Sequence, residues 1–258
     1  MTERPLAGCT VVVTRPMHQS AELCDAIEAS GGQAIRFPVL DIVGRDSARI
    51  AKDFAANPVP DLVIFISRNA ARYAASIEIA AATKVAAIGP ATAASLEAQG
   101  LLPDILPLDG FDSEALLSHP DLQDVSATSI TIVRGTSGRE LLADTLKARG
   151  ANVNYLAAYE RQLHHASDLE LATVQGAFDS DSVNYVTIMS VQSLQNFLTL
   201  IPPQCLNKLP HARLVAPSER VVQTAEEMVP GMRAALSPGP QSKDMVNTLI
   251  DNWQAGQD

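Results

Sequence analysis

The stretch from Arg134 to Arg161, RGTSGRELLADTLKARGANVNYLAAYER, decides the fold. It follows the apolar run Ile130–Val133 and predicts a strand, a turn of small residues, a helix and a second strand. Ser137 and Glu140 have the spacing of a capping box, in which each side chain bonds the backbone N–H of the other residue. The spacing therefore predicts that the helix begins at this turn.

The predicted helix has one apolar face and a defined end. Leu142 and Leu146 lie on the same face, and Gly150 suits the left-handed conformation that commonly follows a helix. Backbone N–H groups at a helix N-terminus, here beside Arg134 and Arg139, attract anions. We therefore expect an anion to bind at this turn.

The two halves of the chain repeat this pattern in the same order. Val11–Arg15 matches Ile130–Arg134, and Leu62–Ser67 matches Tyr185–Ser190. Each half has five short apolar runs that alternate with helical stretches, which predicts parallel sheets with right-handed crossovers. Five strands per half favour flavodoxin-like, doubly wound sheets. Repetition alone would place the domain boundary at 123–128.

Composition restricts the classes of function. A length of 258 residues favours two domains over one. The formal net charge of −10 argues against binding to nucleic acid or to an anionic membrane. Residues 182–207 form a charge-free run, but its polar side chains and the Pro202-Pro203 pair predict a strand, a loop and a helix rather than a membrane span.

The cysteines and the N-terminus favour a cytoplasmic protein. Cys9, Cys24 and Cys205 are odd in number and scattered, as is typical of reduced thiols that fill a core. Met1–Pro5 shows no secretory signal. The five histidines have no zinc-site spacing, and the glycines fit neither a dinucleotide-binding loop nor a P-loop. We expect no metal and no cofactor.

Hydroxyl, glycine and arginine residues follow the predicted strands, where doubly wound sheets bind ligands. Serine and threonine at such positions also cap helices, and arginine there can simply be solvated, so both interpretations stay open. The candidate substrate-binding residues are Thr14, Arg15, Ser67, Arg68, Gly89, Pro90, Thr92, Arg134, Gly135, Thr136, Ser137, Arg139, Ser190 and Ser218.

The Arg134–Arg161 stretch, together with Thr14-Arg15-Pro16, resembles the uroporphyrinogen-III synthase family, and the resemblance spans nearly the whole chain. It implies that linear hydroxymethylbilane is cyclised to uroporphyrinogen III, with loss of water and inversion of ring D through an azafulvene and a spiro intermediate. The family needs no metal or nucleotide. The expected partners are this substrate and product, with a monomeric chain and a transient contact with the preceding pathway enzyme.

The resemblance also implies a domain arrangement that the repeat alone does not give. Two α/β domains exchange strand–helix units, so that residues 1–36 join 163–258 in one domain and 40–157 form the other. Residues 37–39 and 158–162 form a two-stranded connection, and the reaction takes place in the interdomain cleft.

Tyr159 is the catalytic candidate that the resemblance implies. It matches a tyrosine proposed to assist loss of the terminal hydroxyl. A packing role has equal weight, because a phenol with a pKa of about 10 is a weak acid. Met189 and Glu219 depart from the hydroxyl residues that many members carry, which puts single contacts of the second half in doubt.

Two other classes of protein remain as alternatives. The first is a two-domain binding or sensor protein for a small anionic ligand, which would close around its ligand by a hinge. The second is a sugar-phosphate enzyme, which is disfavoured because the sequence offers no Asp, His or Lys constellation for acid–base catalysis.

Overall fold

A computed structural model describes residues 4–256 and divides into two compact units. Unit 1 comprises the described residues up to Asp41 and from Gln162 onward, and unit 2 is Ile42–Arg161. The predicted domain limits at residues 1 and 258, and the first three residues of Met1–Pro5, lie outside the described residues.

Ten strands are found in the described part of the chain. They are β1 (Thr10–Val13), β2 (Gln33–Arg36), β3 (Leu40–Gly44), β4 (Leu62–Phe65), β5 (Lys84–Ala87), β6 (Ser129–Gly135), β7 (Asn152–Leu163), β8 (Val183–Thr187), β9 (Arg213–Ala216) and β10 (Arg233–Leu236).

The α-helices of the same residues lie between these strands or after the last of them. They are α1 (Met17–Ala29), α2 (Ser47–Ala55), α3 (Arg68–Tyr73), α4 (Pro90–Glu97), α5 (Ser113–Leu117), α6 (Leu141–Ala148), α7 (Asp168–Asp179), α8 (Val191–Leu200), α9 (Pro203–Leu206), α10 (Glu219–Met228) and α11 (Ser242–Gln254).

Unit 1 contains a five-stranded sheet in the order β10-β9-β8-β1-β2, and its neighbouring strands pair in parallel. Helices α7, α8 and α10 supply apolar side chains to the core on one face, and α1 and α11 supply them on the other. Strands β1 and β2 come from the first half of the chain and β8 to β10 from the second. The exchange of strand–helix units and the doubly wound α/β class are therefore confirmed.

Unit 2 contains a second five-stranded sheet, in the order β3-β7-β6-β4-β5. The pairs β7 and β6, β6 and β4, and β4 and β5 are parallel, and helices cover both faces. Here β6 and β7 come from the second half of the chain. The edge strand β3 pairs with β7, where the backbone N–H of Arg45 donates to the carbonyl of Ala158 at 3.0 Å.

The charge-free run and the cysteines fold as expected from the sequence. Residues 182–207 form β8, α8 and α9. Among the residues that the structure describes, no helix has the length and hydropathy needed to cross a membrane. Cys9, Cys24 and Cys205 are buried free thiols, and burial raises the pKa of the Cys9 thiol to about 12. The cysteines therefore serve as core residues, as predicted.

Candidate functional site

The carboxyl ends of β4, β5 and β6 meet at one edge of the unit 2 sheet. These strands are parallel neighbours, with Phe65 of β4 paired to Ala87 of β5 and to Val133 of β6. Ser67 lies two residues after Phe65, and Gly135 lies two residues after Val133. The register thus brings together strand ends that are far apart in the sequence.

Ser67 and Tyr159 form a hydrogen-bonded pair at this edge. The Ser67 Oγ lies 3.2 Å from the Tyr159 Oη and also accepts the backbone N–H of Ala70 at 3.0 Å, which caps α3. A hydroxyl that accepts one hydrogen bond can still donate its own proton. Ser67 can therefore donate to a negatively charged Tyr159 oxygen while it remains the helix cap.

The Tyr159 ring is fixed by close packing. The residue is only 3% exposed, and the ring of Tyr73 lies 6.2 Å from it, centroid to centroid. A Cβ atom added at Gly135 would lie 2.9 Å from the Tyr159 Cε2. Only glycine leaves room for the ring at that position, so the packing sets the position of the phenol.

The predicted capping box at Ser137 and Glu140 is wrong. Helix α6 begins at Leu141, and Glu140 occupies its N-cap position without a side-chain cap. The Glu140 carboxylate instead accepts a hydrogen bond from Arg134 Nη1 at 2.8 Å and another from the Tyr155 hydroxyl. These two donors hold the carboxylate away from the backbone of Ser137.

Arg134 lies at the centre of this cluster, which we call the Arg134 cluster (Arg134, Glu140 and Tyr155). Its side chain is 5% exposed, its guanidinium lies 4.4 Å from the Tyr155 ring centroid, and its buried Nε has no hydrogen-bond partner among the described residues. The hydrogen bonds from Tyr155 and Arg134 lower the Glu140 pKa. Burial and the Glu140 carboxylate raise the Tyr155 pKa to about 12.

Sequence reasoning missed the roles of Glu140 and Tyr155. A signal for them exists in the strand register: Tyr155 pairs with Ile132, two residues before Arg134. Side chains alternate along a strand, so Tyr155 and Arg134 lie on the same face of the sheet. That register could not be read from the sequence before β6 and β7 were paired.

Thr136 and Arg139, in the predicted anion-binding turn, form contacts that the sequence did not predict. The backbone N–H of Thr136 donates to the Tyr159 carbonyl at 2.9 Å, so this donor is not available to a ligand. Arg139 pairs with Glu114 at 2.7 Å, and both side chains are largely exposed. Because α6 starts at Leu141, Thr136 and Ser137 do not form a helix N-terminus, and that part of the prediction is wrong.

The loop after β5 begins helix α4 with Gly89 at the N-cap and Pro90 at the first helical position. Thr92 is 3% exposed, and its backbone N–H donates to the Gly89 carbonyl at 3.0 Å. Arg68 is the first residue of α3 and is exposed. The predicted residue Arg68 therefore follows the carboxyl end of β4. The predicted residues Gly89, Pro90 and Thr92 follow that of β5.

Unit 1 has an equivalent edge at the ends of β1, β8 and β9. Ser190 caps α8 by accepting the N–H of Ser193 at 3.1 Å, and Ser218 caps α10 by accepting the N–H of Val221 at 3.4 Å. The Thr14 hydroxyl donates to the Thr187 carbonyl at 2.5 Å and is buried. The serines are caps, as the alternative interpretation predicted, and the Ser190 Oγ also shares a hydrogen bond with the Ser193 Oγ at 2.9 Å.

Arg15 links two strand ends of unit 1. Its Nη1 donates to the Ser242 hydroxyl at 3.3 Å and its Nη2 to the Pro240 carbonyl at 2.5 Å. Pro240 and Ser242 lie between β10 and α11. The guanidinium therefore helps to order the loop after β10 at this edge.

The sequence of this chain is similar to those of known proteins. A family model described as "Uroporphyrinogen-III synthase HemD" matches residues 21–247. The curated uroporphyrinogen-III synthase of Escherichia coli (strain K12) is 32% identical over 85% of this chain and 91% of its own length. That of Synechococcus elongatus is 30% identical over 78% of each chain.

Solved structures share the fold at low sequence identity. The uroporphyrinogen-III synthetase of Helicobacter pylori 26695 aligns with a TM-score of 0.62 at 11% identity, covering 95% of this chain and 99% of that one. A mutant uroporphyrinogen III synthase of Thermus thermophilus aligns with a TM-score of 0.61 at 15% identity, covering 96% and 99%. On the sequence matches, the chain belongs to the uroporphyrinogen-III synthase family.

Proposed function

We propose that this chain cyclises hydroxymethylbilane to uroporphyrinogen III, with loss of water and inversion of ring D. The observation that carries the proposal is the family match over residues 21–247, which covers both units. The arrangement of hydroxyl groups at the strand ends of each unit supports it, because such groups suit a substrate with eight carboxylates.

The proposed reaction has four steps. The terminal hydroxyl leaves as water and gives an azafulvene. The exposed methylene carbon then bonds to the substituted carbon of ring D, which forms a spiro intermediate. Fragmentation of the older bond to that carbon and reclosure at the free ring position invert the ring. Loss of one proton restores the aromatic pyrrole, and this proton balances the one given to the departing hydroxyl.

Tyr159 is the proposed acid for the first step. The electron-rich pyrrole drives departure of the hydroxyl, so a weak acid is sufficient. The Ser67 Oγ, 3.2 Å away, can donate a hydrogen bond to the phenolate that forms, and charge-assisted hydrogen bonds are the stronger ones. The tight packing against Gly135 fixes the position of the Tyr159 ring.

Substrate binding by hydroxyls and backbone donors resolves a conflict of charge. The chain carries a net charge of −10, yet the substrate is a polyanion, and neutral donors bind carboxylates without requiring a basic protein. The proposed binding residues are Arg15, Ser67, Arg68, Gly89, Pro90, Thr92, Gly135, Ser137, Arg139, Ser190 and Ser218, together with Thr136 through its exposed side chain. Thr14 is left out, because its buried hydroxyl already donates to the Thr187 carbonyl.

Arg134 has a different proposed role. Its charge is already paired with Glu140 at 2.8 Å and covered by the Tyr155 ring. We therefore assign to it the positioning of loop 136–140 beside the Tyr159 carbonyl rather than direct contact with a carboxylate. The buried free thiols fit action in the reducing cytoplasm.

Product analysis tests the proposed function. Freshly prepared hydroxymethylbilane is incubated with the protein, with heat-denatured protein and with buffer alone, and the oxidised porphyrin isomers are separated by chromatography. We expect the inverted isomer only with native protein. A binding or sensor protein would leave the non-inverted isomer of spontaneous closure in all three samples, and that result would contradict the proposal.

A further inference from the structure

A pocket of about 290 Å³ lies at the amino edge of the unit 1 sheet. Its lining includes Asn184 and Tyr185 of β8, Arg213 at the start of β9 and Arg233 at the start of β10. Trp253, near the end of α11, also lines it. Because these strands are parallel, the pocket is at the edge opposite to the strand ends described above.

The strand register places two arginines next to each other in this pocket. Arg213 is the partner of both Tyr185 in β8 and Arg233 in β10. Paired residues lie on the same face of a sheet, and neighbouring strands are about 4.8 Å apart. Tyr185, Arg213 and Arg233 therefore form a row across three strands, on the face that α11 covers.

No carboxylate neutralises this pair within the described residues. Neither Arg213 nor Arg233 forms an ion pair there, in contrast to Arg134 and Arg139, and no described lining residue is Asp or Glu. Arg213 donates instead to the neutral side chain of Asn252. Like charges side by side on a sheet are unfavourable, and they are unusual in a chain with a net charge of −10.

The surroundings of the two guanidinium groups also suit a ligand. The Tyr185 and Trp253 rings pack edge to face with centroids 6.4 Å apart, which gives the pocket a rigid aromatic wall. Burial raises the Tyr185 pKa, while the charges of Arg213 and Arg233 act in the opposite direction. The strand register agrees with this, since Arg213 is paired with Tyr185 on one side and with Arg233 on the other.

We propose that this pocket binds a small oxyanion with two negative charges, a phosphate or a short dicarboxylate, between Arg213 and Arg233. Guanidinium groups bind carboxylate and phosphate oxygens in a bidentate manner. The volume is at the lower end for small-molecule sites, which restricts the ligand to a compact anion. The site is separate from the proposed reaction, whose residues lie at the carboxyl edges.

The chain carries its own probe for this site. Trp253 is the only tryptophan of the sequence, so intrinsic fluorescence reports on the pocket directly. The protein is titrated with inorganic phosphate and, separately, with succinate, while sodium chloride holds the ionic strength constant. We expect a saturable change with one or both anions, and the tighter of the two identifies the ligand class. Equilibrium dialysis with labelled anion checks the stoichiometry.

Two arginine variants provide a matched comparison. Arg233→Gln removes one guanidinium from the pocket, and Arg220→Gln removes one from an exposed position of α10 at the other edge. Because a hydrogen bond to a charged group contributes strongly, we expect Arg233→Gln to weaken binding about tenfold or more and Arg220→Gln to leave it unchanged. Equal urea midpoints of the two variants would show that folding is not the cause.

Two results would overturn the proposal. The first is the absence of saturable binding by both fluorescence and dialysis. The second is equal weakening by the two variants. Formation of the inverted isomer by Arg233→Gln is measured in parallel, so that failure of this site is distinguished from failure of the proposed function.

Discussion

The Tyr159 phenol and the Ser67 hydroxyl lie 3.2 Å apart although 92 residues separate them in the sequence. Ser67 follows a strand of the first half of the chain and Tyr159 belongs to a strand of the second half. They meet because β7 pairs with β6, and β6 pairs with β4, in one sheet. The exchange of strand–helix units therefore assembles the proposed acid and its hydrogen-bond partner.

Replacement of the phenol tests the role of Tyr159. We expect Tyr159→Phe to lower turnover about tenfold to a hundredfold, at the low end of general-acid contributions, with little change in product affinity. Tyr73→Phe is the matched control, since its hydroxyl donates to the Ile42 carbonyl in the same unit. Steady-state kinetics and product titration are measured for both. Unchanged turnover in Tyr159→Phe would leave the residue only a packing role.

Removal of the Ser67 hydroxyl separates capping from catalysis. Ser67→Ala should lose about 1 kcal/mol of stability, as expected for an N-cap, and should also lower turnover. Asp46→Ala removes the cap of α2 in the same unit, where Asp46 accepts the N–H of Arg49 at 2.8 Å. Asp46→Ala should lower the free energy of unfolding by a similar amount and leave turnover normal. Equal turnover in the two variants would refute a catalytic contribution from Ser67.

The close contact between Gly135 and the Tyr159 ring gives a third prediction. Gly135→Ala places a Cβ atom 2.9 Å from the ring and should cost about 1–3 kcal/mol of stability, as overpacking does, and reduce turnover. Gly176→Ala is the control, because no atom outside its own helix backbone and its chain neighbours lies within 4 Å of the new Cβ. It should be neutral or stabilise by up to about 1 kcal/mol. Normal activity and stability of Gly135→Ala would show that the ring position is not critical.

Much of the fold could be predicted from the sequence because the repeat is regular. The apolar runs, the strand–helix alternation and the left-handed Gly150, with a φ of 89°, are local features. The capping box failed because a local motif competed with two distant donors: Arg134 and Tyr155 reach Glu140 through strand pairing. The arginine row of unit 1 was invisible for the same reason, since Arg213 and Arg233 become neighbours only once β9 and β10 are in register.

The Arg134 cluster predicts a dependence of stability on pH. In the folded chain the Glu140 pKa lies below its ordinary value of 4.5, because Tyr155 and Arg134 donate to the carboxylate. A lowered folded-state pKa means that protonation favours the unfolded chain. The contribution is therefore complete above pH 4.5 and is lost as the pH falls through the folded-state pKa.

Urea unfolding of two isosteric variants measures this contribution. At neutral pH, Glu140→Gln should lower the urea midpoint, and the difference from the wild type should shrink below pH 4.5. Glu114→Gln makes the same change next to Arg139, whose side chain is 69% exposed, and should have almost no effect because exposed pairs contribute little. A pH-independent difference for Glu140→Gln would contradict the assigned cause.

The isomer ratio of the product tests the central claim most directly. Spontaneous closure of hydroxymethylbilane competes with the proposed reaction, so the fraction of inverted isomer is measured at increasing protein concentration with a fixed substrate concentration. We predict that this fraction rises and approaches one for the wild type, and that Tyr159→Phe needs about tenfold to a hundredfold more protein to reach the same fraction. A fraction that stays at the spontaneous value while the folded protein binds substrate would contradict the account.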